Sequence, residues 1–167
     1  MTMCWLTSNP AWMSVIIAAL SLGVSIWAII SARRSNKRVE EYNNNSIRLQ
    51  YRPVIDFENG WMVNQVDGVI SFNLISLKNE ARITKVDVLN KDFACCQPRS
   101  FPIHMVTGEV VLMVFACFHQ ESFKTATLSV DIYYEDIIGN TYCTHIEGNH
   151  SGLKSNPAQF ISKKGNT

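Results

Sequence analysis

The chain has 167 residues, of which 47% are hydrophobic and 17% are charged, and its formal net charge is +1. Residues 31–50 carry five basic and two acidic side chains, whereas residues 51–167 carry ten basic and twelve acidic ones. Nucleic-acid-binding domains need clustered Lys and Arg to neutralise phosphates, so this balance excludes residues 51–167 from that class.

The first predicted element is a transmembrane helix. Residues 11–30 read AWMSVIIAALSLGVSIWAII and contain no charged side chain. Twenty helical residues rise about 30 Å, which is the thickness of a bilayer hydrocarbon core. We therefore predict a transmembrane helix over residues 11–32, after a short external N-terminus over residues 1–10. A cleaved signal peptide is the alternative, but no basic residue precedes this stretch, and Ile30 does not suit the −3 cleavage position.

Small side chains recur in this helix with an alternating spacing of four and three residues. The set comprises Ser14, Ala18, Ser21, Ser25, Ala28 and Ala32. A period of about 3.5 residues places them on one side of the helix, as in left-handed helix pairs. This set, called the seam below, predicts association with a second copy or with a partner helix, and Ala19 and Gly23 add a small pair beside it. Chance is the alternative, since Ser, Ala and Gly are common in membrane helices.

A basic cluster follows the apolar stretch directly and consists of Arg33, Arg34, Lys37 and Arg38. The positive-inside rule then predicts a single-pass protein of the cell inner (cytoplasmic) membrane, with its N-terminus outside and its C-terminal domain in the cytoplasm. The same cluster suits anionic membrane lipid, where each basic residue contributes about 1 kcal/mol. The two roles are compatible.

Residues 33–50 are predicted to form a basic juxtamembrane segment and linker. The run Asn43-Asn44-Asn45 is expected to end or fray the helix, since Asn disfavours helix interiors. The spacing of the seam nevertheless continues beyond residue 32. It is extended by Ser35, Val39, Tyr42, Ser46 and Leu49.

From Tyr51 the hydrophobic period becomes two residues, which predicts a β-domain over residues 51–148. Short strands separated by turns, with no helical segment between them, favour an antiparallel, immunoglobulin-like β-sandwich, and a small barrel is the alternative. The predicted strands cover residues 54–58, 61–66, 69–77, 83–89, 110–118, 126–134 and 141–147.

Three local features of this domain are predicted with it. The inward side of the third strand changes after Leu74, which indicates a bulge or a strand end. The apolar run from Val110 to Phe118 is typical of a central strand covered on both faces. Residues 149–167 are expected to form a loose polar tail, with Phe160 and Ile161 available to dock it on the domain.

The sequence offers no recognised catalytic motif, and we expect no catalytic residue, no metal site and no cofactor. Four histidines, His104, His119, His145 and His150, lack zinc-site spacing. The acidic residues Asp131, Glu135 and Asp136 are expected to be solvated, with Asp136 bonding the turn backbone. The five cysteines include the adjacent Cys95 and Cys96, and their odd number predicts reduced thiols, as in a cytoplasmic domain.

Several features together resemble one group of proteins. A single N-terminal span is followed by Arg52-Pro53 at the opening of the first strand and by Asn79 after the third. A late hairpin, YYEDIIGNTY, contains Tyr134, Asp136, Gly139 and Asn140. This layout resembles uncharacterised bacterial small single-pass membrane proteins with a cytoplasmic immunoglobulin-like β-sandwich. It departs from their usual Asn-x-Gly after the third strand, because Glu80-Ala81 follows Asn79. The resemblance implies no activity, although some such proteins look like parts of defence or envelope systems.

Two functional hypotheses follow from these features. The first is a membrane-anchored interaction or scaffold module, whose helix self-associates or binds a partner helix and whose β-domain binds a cytoplasmic protein. The second is an oligomerising membrane effector of a bacterial defence (abortive infection) system. Depolarisation of cells on overexpression, abolished by changes in the seam, would favour the effector. A span without charged residues argues against an open channel.

Overall fold

The computed structural model of the chain describes residues 10–119, 121 and 123–163. One long helix is followed by ten strands in the described part of the chain. The chain divides into two compact units, one ending at Ile47 and the other beginning at Arg48.

The helix α1 (Pro10–Tyr51) runs for 42 residues without interruption. Among the described residues, it is the one helix long and apolar enough to cross a membrane. The prediction that Asn43-Asn44-Asn45 ends the helix, with a linker after it, is wrong. Each Asn disfavours a helix by less than about 1 kcal/mol relative to Ala, which is too little to break one. The helix ends at Tyr51 because Pro53 restricts Arg52 to an extended conformation.

The strands are short, with the longest at eleven residues. They are β1 (Val54–Asn64), β2 (Val69–Lys78), β3 (Ala81–Val88), β4 (Phe93–Cys95), β5 (Ile103–Met105), β6 (Val110–Cys117), β7 (Leu128–Glu135), β8 (Asn140–Asn149), β9 (Gly152–Ser155) and β10 (Gln159–Lys163).

The strands form two antiparallel sheets. Sheet A has the order β1-β2-β6-β4, and sheet B has the order β10-β8-β7-β3-β5, with β9 also paired to β8. The sheets are not closed into a barrel. The prediction of an N-terminal helix followed by an antiparallel all-β domain is therefore confirmed.

One hydrophobic core is built from the inward side chains of both sheets. In sheet A, the rings of Phe72 and Phe115 stack with centroids 5.4 Å apart. In sheet B, alternate residues of β7 from Leu128 to Tyr134 are fully buried. This confirms the alternation predicted for β7. Successive side chains of a strand point to opposite faces, so a half-buried strand has an apolar residue at every second position.

Two strand predictions need correction. The first two predicted strands are one strand, β1, interrupted between Glu58 and Trp61 by a bulge in which Gly60 has a φ of 80°. The predicted change of face after Leu74 is also wrong. Strand β2 continues to alternate with Ser76 as its next inward residue, and Ser76 is fully buried. Its hydroxyl donates to the carbonyl oxygen of Asn79 at 2.5 Å, so a polar residue occupies a core position.

The apolar run from Val110 to Cys117 does form a central strand, β6, but the described residues cover only one side of that strand. Val111, Met113 and Phe115 face the core, whereas Leu112 on the other side is 40% exposed. The predicted loose tail is also wrong for residues 152–163. Residues 152–155 form β9 and residues 159–163 form β10, and both strands pair with one edge of β8.

Candidate functional site

The seam residues lie on a helix whose side chains have no cover within the first unit. Every described side chain from Trp12 to Ile47 is exposed, including Leu20 and Trp27 at 65% and 71%. A helix that exposes so many apolar side chains would be unstable in water. The apolar half of α1 therefore requires lipid or another protein around it.

The seam serines form hydrogen bonds within their own helix. The Ser21 hydroxyl donates to the carbonyl oxygen of Ile17, and the Ser25 hydroxyl donates to that of Ser21, both at 2.8 Å. This back-bonding to the preceding turn satisfies the hydroxyl donors. The seam thus presents a narrow surface that a second helix can approach closely without burying an unpaired hydroxyl.

Helical geometry separates the seam from the basic cluster. At about 100° per residue, the cluster from Arg33 to Arg38 lies on the side of α1 opposite the seam. The same geometry places Ala19 and Gly23 opposite the seam as well, which corrects the prediction that they lie beside it. Basic side chains in this position do not face one another when two helices meet along their seams.

A second site surrounds the end of α1, within the second unit. We call it the exit cluster, and it comprises Arg48, Gln50, Arg52, Asn79, Tyr142 and Phe160. The last four carbonyl groups of a helix lack partners inside the helix. In the exit cluster, side chains of the β-domain supply such partners.

Asn79 is the central donor of the exit cluster. It occupies the turn between β2 and β3 with a φ of 62°, which Asn tolerates better than most residues. Its side-chain amide donates to the carbonyl oxygens of Gln50 at 2.8 Å and of Arg52 at 3.1 Å. The turn that connects the two sheets therefore caps the helix.

Aromatic side chains of sheet B complete the exit cluster. The guanidinium of Arg48 lies 4.4 Å from the ring centroid of Phe160, within the range of a cation–π interaction. Phe160 in turn meets the Tyr142 ring edge-on. The Arg52 guanidinium donates to the carbonyl oxygen of Ala158 at 2.7 Å. Phe160 thus does dock the C-terminal strand, as predicted for the tail.

Asp136 fixes the position of Tyr142. It is only 6% exposed, and its carboxylate accepts four hydrogen bonds. The donors are the backbone N–H groups of Ile138 and Asn140, the Asn140 side-chain amide and the Tyr142 hydroxyl. The predicted bonding of Asp136 to the turn backbone is confirmed, but the expectation that it is solvated is wrong.

This environment changes the acidity of Tyr142. Burial, and then the nearby charge of Asp136 and the hydrogen bond to it, raise the pKa of Tyr142 from 10.0 to about 12. An ionised phenol beside a buried carboxylate would be strongly disfavoured. Tyr142 is therefore a neutral donor at physiological pH, with its hydroxyl also 3.5 Å from the carbonyl oxygen of Arg48.

A third group of polar residues lies on the outer side of sheet B. His145 Nδ1 is 2.7 Å from a carboxylate oxygen of Asp131, and Cys143 precedes His145 on the same strand. Burial raises the pKa of the Cys143 thiol, whereas a nucleophilic cysteine needs a lowered one. Glu135 lies elsewhere, 3.9 Å from Arg82. Asp131, Glu135 and Asp136 therefore do not form one site.

The described residues contain no group of three His, Cys, Asp or Glu side chains arranged to hold a metal ion. Cys95, Cys96, Cys117 and Cys143 are free thiols, and Cys4 lies outside the described residues.

A cleft of about 300 Å³ at one end of sheet B was not predicted from the sequence. Two contacts line it: the ring of His104 lies 3.5 Å from Glu80, and Arg82 forms an ion pair with Glu135 at 3.9 Å. The sequence offers no signal for this cleft, because its residues come from separate strands and turns. These partly exposed side chains are each in contact with a partner, and they supply no nucleophile.

No protein-family model, no curated protein and no solved structure matches the chain.

Proposed function

We propose that the protein is a membrane-anchored interaction module, in which α1 associates with a second copy or a partner helix and the β-domain binds a cytoplasmic protein. The observation that carries the proposal is the uncovered surface of α1. Its side chains are exposed from Trp12 to Ile47. Lipid would surround the apolar half of α1. Val39 and Tyr42 lie outside that region, in the polar half of the helix, and their side chains are 54% and 75% exposed.

The continuity of α1 supports helix association. Because α1 continues without a break beyond the apolar stretch, Val39 and Tyr42 lie on the same side of the helix as the seam. Small residues suit close approach in lipid, and larger apolar residues suit pairing in water. Beyond the seam, the same spacing thus adds Val39 and Tyr42 to the small residues Ser35 and Ser46, where the surroundings of α1 would change from lipid to water.

The basic cluster supports the orientation that we propose. Arg33 and Arg34 directly follow the apolar stretch, and such residues are retained on the cytoplasmic side. Because they lie opposite the seam, they remain free to meet anionic lipid headgroups when helices associate. The proposed location is the inner membrane, with the β-domain in the cytoplasm.

We also propose that the domain is an immunoglobulin-like sandwich. The order β1-β2-β6-β4 corresponds to the A-B-E-D sheet of immunoglobulin constant domains, and β8-β7-β3 corresponds to G-F-C. The domain departs from that plan because β5 joins the edge of β3 only after β4 in the chain, and because β9 and β10 are additional. Immunoglobulin-like domains commonly serve as binding modules, although fold alone assigns no function.

The association of α1 is tested with the full chain in liposomes. Copies labelled at the N-terminus with donor or acceptor dyes are mixed, and energy transfer is measured at several protein-to-lipid ratios. We expect transfer in the natural chain and its loss in the double variant Ala18→Leu/Ser25→Leu, because large side chains keep the helices apart.

The matched control is Ala19→Leu/Gly23→Leu on the opposite side of the helix, which we expect to retain energy transfer. Loss of transfer in the control alone would contradict the seam. A natural chain that shows no transfer at any ratio excludes self-association. Purification from the native membrane, with and without the seam substitutions, then tests a partner helix.

A further inference from the structure

Strand β10 is a weakly held edge of sheet B. All five of its residues are exposed, and a register shift between Phe160 and Ser162 interrupts its pairing with β8. No described strand pairs with its other side. Few buried contacts and exposed backbone hydrogen bonds are features of segments that open below the free energy of global unfolding. We therefore expect β10 to leave β8 while the two sheets stay folded.

A short hinge separates β10 from β9. The two strands follow one another along the same edge of β8, with Asn156, Pro157 and Ala158 between them. Pro157 has no N–H group to donate to β8, so the ladder is interrupted here. The N–H of Asn156 donates to the carbonyl oxygen of His145 at 2.8 Å and fixes the side of the hinge that follows β9. Strand β10 can therefore detach while β9 stays in place.

The side chain of β10 that packs on the domain also contacts the end of α1. The Phe160 ring lies 4.4 Å from the guanidinium of Arg48 and meets the Tyr142 ring edge-on. In the hinge, the carbonyl oxygen of Ala158 accepts a hydrogen bond from the Arg52 guanidinium at 2.7 Å. Detachment of β10 removes the contact with Arg48 directly. It weakens the bond to Arg52 as well, because the hinge is then held at one end only.

We propose that β10 is a releasable strap, which holds the last turn of α1 while it is paired with β8 and loosens that turn when it detaches. The amide of Asn79 still donates to the carbonyl oxygen of Gln50 after detachment, so the turn is loosened and not unfolded. Detachment also uncovers the edge of β8 from Asn140 to Cys143, and its backbone groups are then open to another strand. The strap thus links the accessibility of this edge to the freedom of α1, whether or not α1 associates with another helix.

The test is hydrogen exchange of the full chain in detergent at several low urea concentrations, read by mass spectrometry. Three segments are compared: residues 48–51, strand β10 and strand β7. We expect residues 48–51 and β10 to exchange through one shared opening, about a hundredfold faster than β7. Exchange of β10 as slow as that of β7 would show that the strand is not releasable. Separate openings of β10 and residues 48–51 would show that β10 does not hold the helix end. Either result overturns the inference.

Two variants distinguish the strap contact from general packing. Phe160→Ala removes the ring that meets Arg48, and we expect exchange of β10 and of residues 48–51 to rise about tenfold while β7 is unchanged. Ile161 is 51% exposed and is not paired with a residue of β8, so Ile161→Ala should leave residues 48–51 unchanged. The inference is overturned by a rise confined to β10, by equal rises at residues 48–51 in both variants, or by an equal rise in β7, which would mean global opening.

Discussion

The side-chain amide of Asn79 donates a hydrogen bond to the carbonyl oxygen of Gln50 at 2.8 Å, across 29 residues of sequence. The acceptor belongs to the last turn of α1, and the donor belongs to the turn through which the chain passes from sheet A to sheet B. The end of the helix is thus held by the β-domain itself. A displacement of this last turn would have to break hydrogen bonds of the domain.

Asn79 has two separable roles, so two substitutions should differ. Asn79→Gly removes the side-chain amide, but glycine tolerates the φ of 62°. We expect the free energy of unfolding to decrease by about 1–2 kcal/mol, because the hydrogen bonds of the amide are missing. Asn79→Ala loses the same bonds and adds about 1 kcal/mol of backbone strain. Thermal unfolding of the full chain in detergent, followed by near-ultraviolet circular dichroism, measures both. Equal losses would contradict the role of the backbone conformation.

Tyr142 should make the stability of the domain depend on pH in the alkaline range. Its pKa in the folded state, about 12, lies above the ordinary value of 10.0. Its contribution to the free energy of unfolding is therefore complete below pH 10 and decreases as the pH rises towards 12. Tyr142→Phe should be less stable by about 1 kcal/mol at pH 8, since the hydrogen bond to Asp136 is lost.

The difference in the free energy of unfolding between the natural chain and Tyr142→Phe should become smaller from pH 10 upwards. Unfolding by denaturant at several pH values measures it. Burial also raises the pKa of Tyr134, but that residue is present in both proteins and its effect cancels in the difference. A gap that stays constant from pH 8 to pH 11.5 would contradict the assignment.

Gly148 should be required for the pairing of β9 with β8. A Cβ atom at this position would lie 2.0 Å from the carbonyl oxygen of Gly152 and 2.7 Å from the Cα of Leu153. Backbone atoms cannot yield as a flexible side chain does, so we expect Gly148→Ala to destabilise the domain by about 2 kcal/mol. Gly152→Ala is the matched control, because a Cβ there meets nothing within 4 Å. Thermal unfolding that gives equal shifts for both variants would contradict this account.

The sequence by itself determined those features that depend on spacing along the chain. The uncharged stretch over residues 11–30 has the length of a bilayer. Likewise, the alternation from Leu128 to Tyr134 predicted the inward face of β7, because neighbouring side chains of a strand point to opposite sides.

Only the tertiary structure decided where groups distant in sequence meet. The Asn run predicts a helix end, because the sequence shows only the local helix propensity of these residues. In the structure, α1 continues to Tyr51, where side chains of the exit cluster cap it. Asp136 reads as a solvated turn residue, but Tyr142 and Asn140 bury it. The apolar run of strand β6 predicts a strand covered on both sides, because such a run does not show which side faces the core. Sheet B packs against one side of sheet A, and no other described element of the β-domain covers the opposite side.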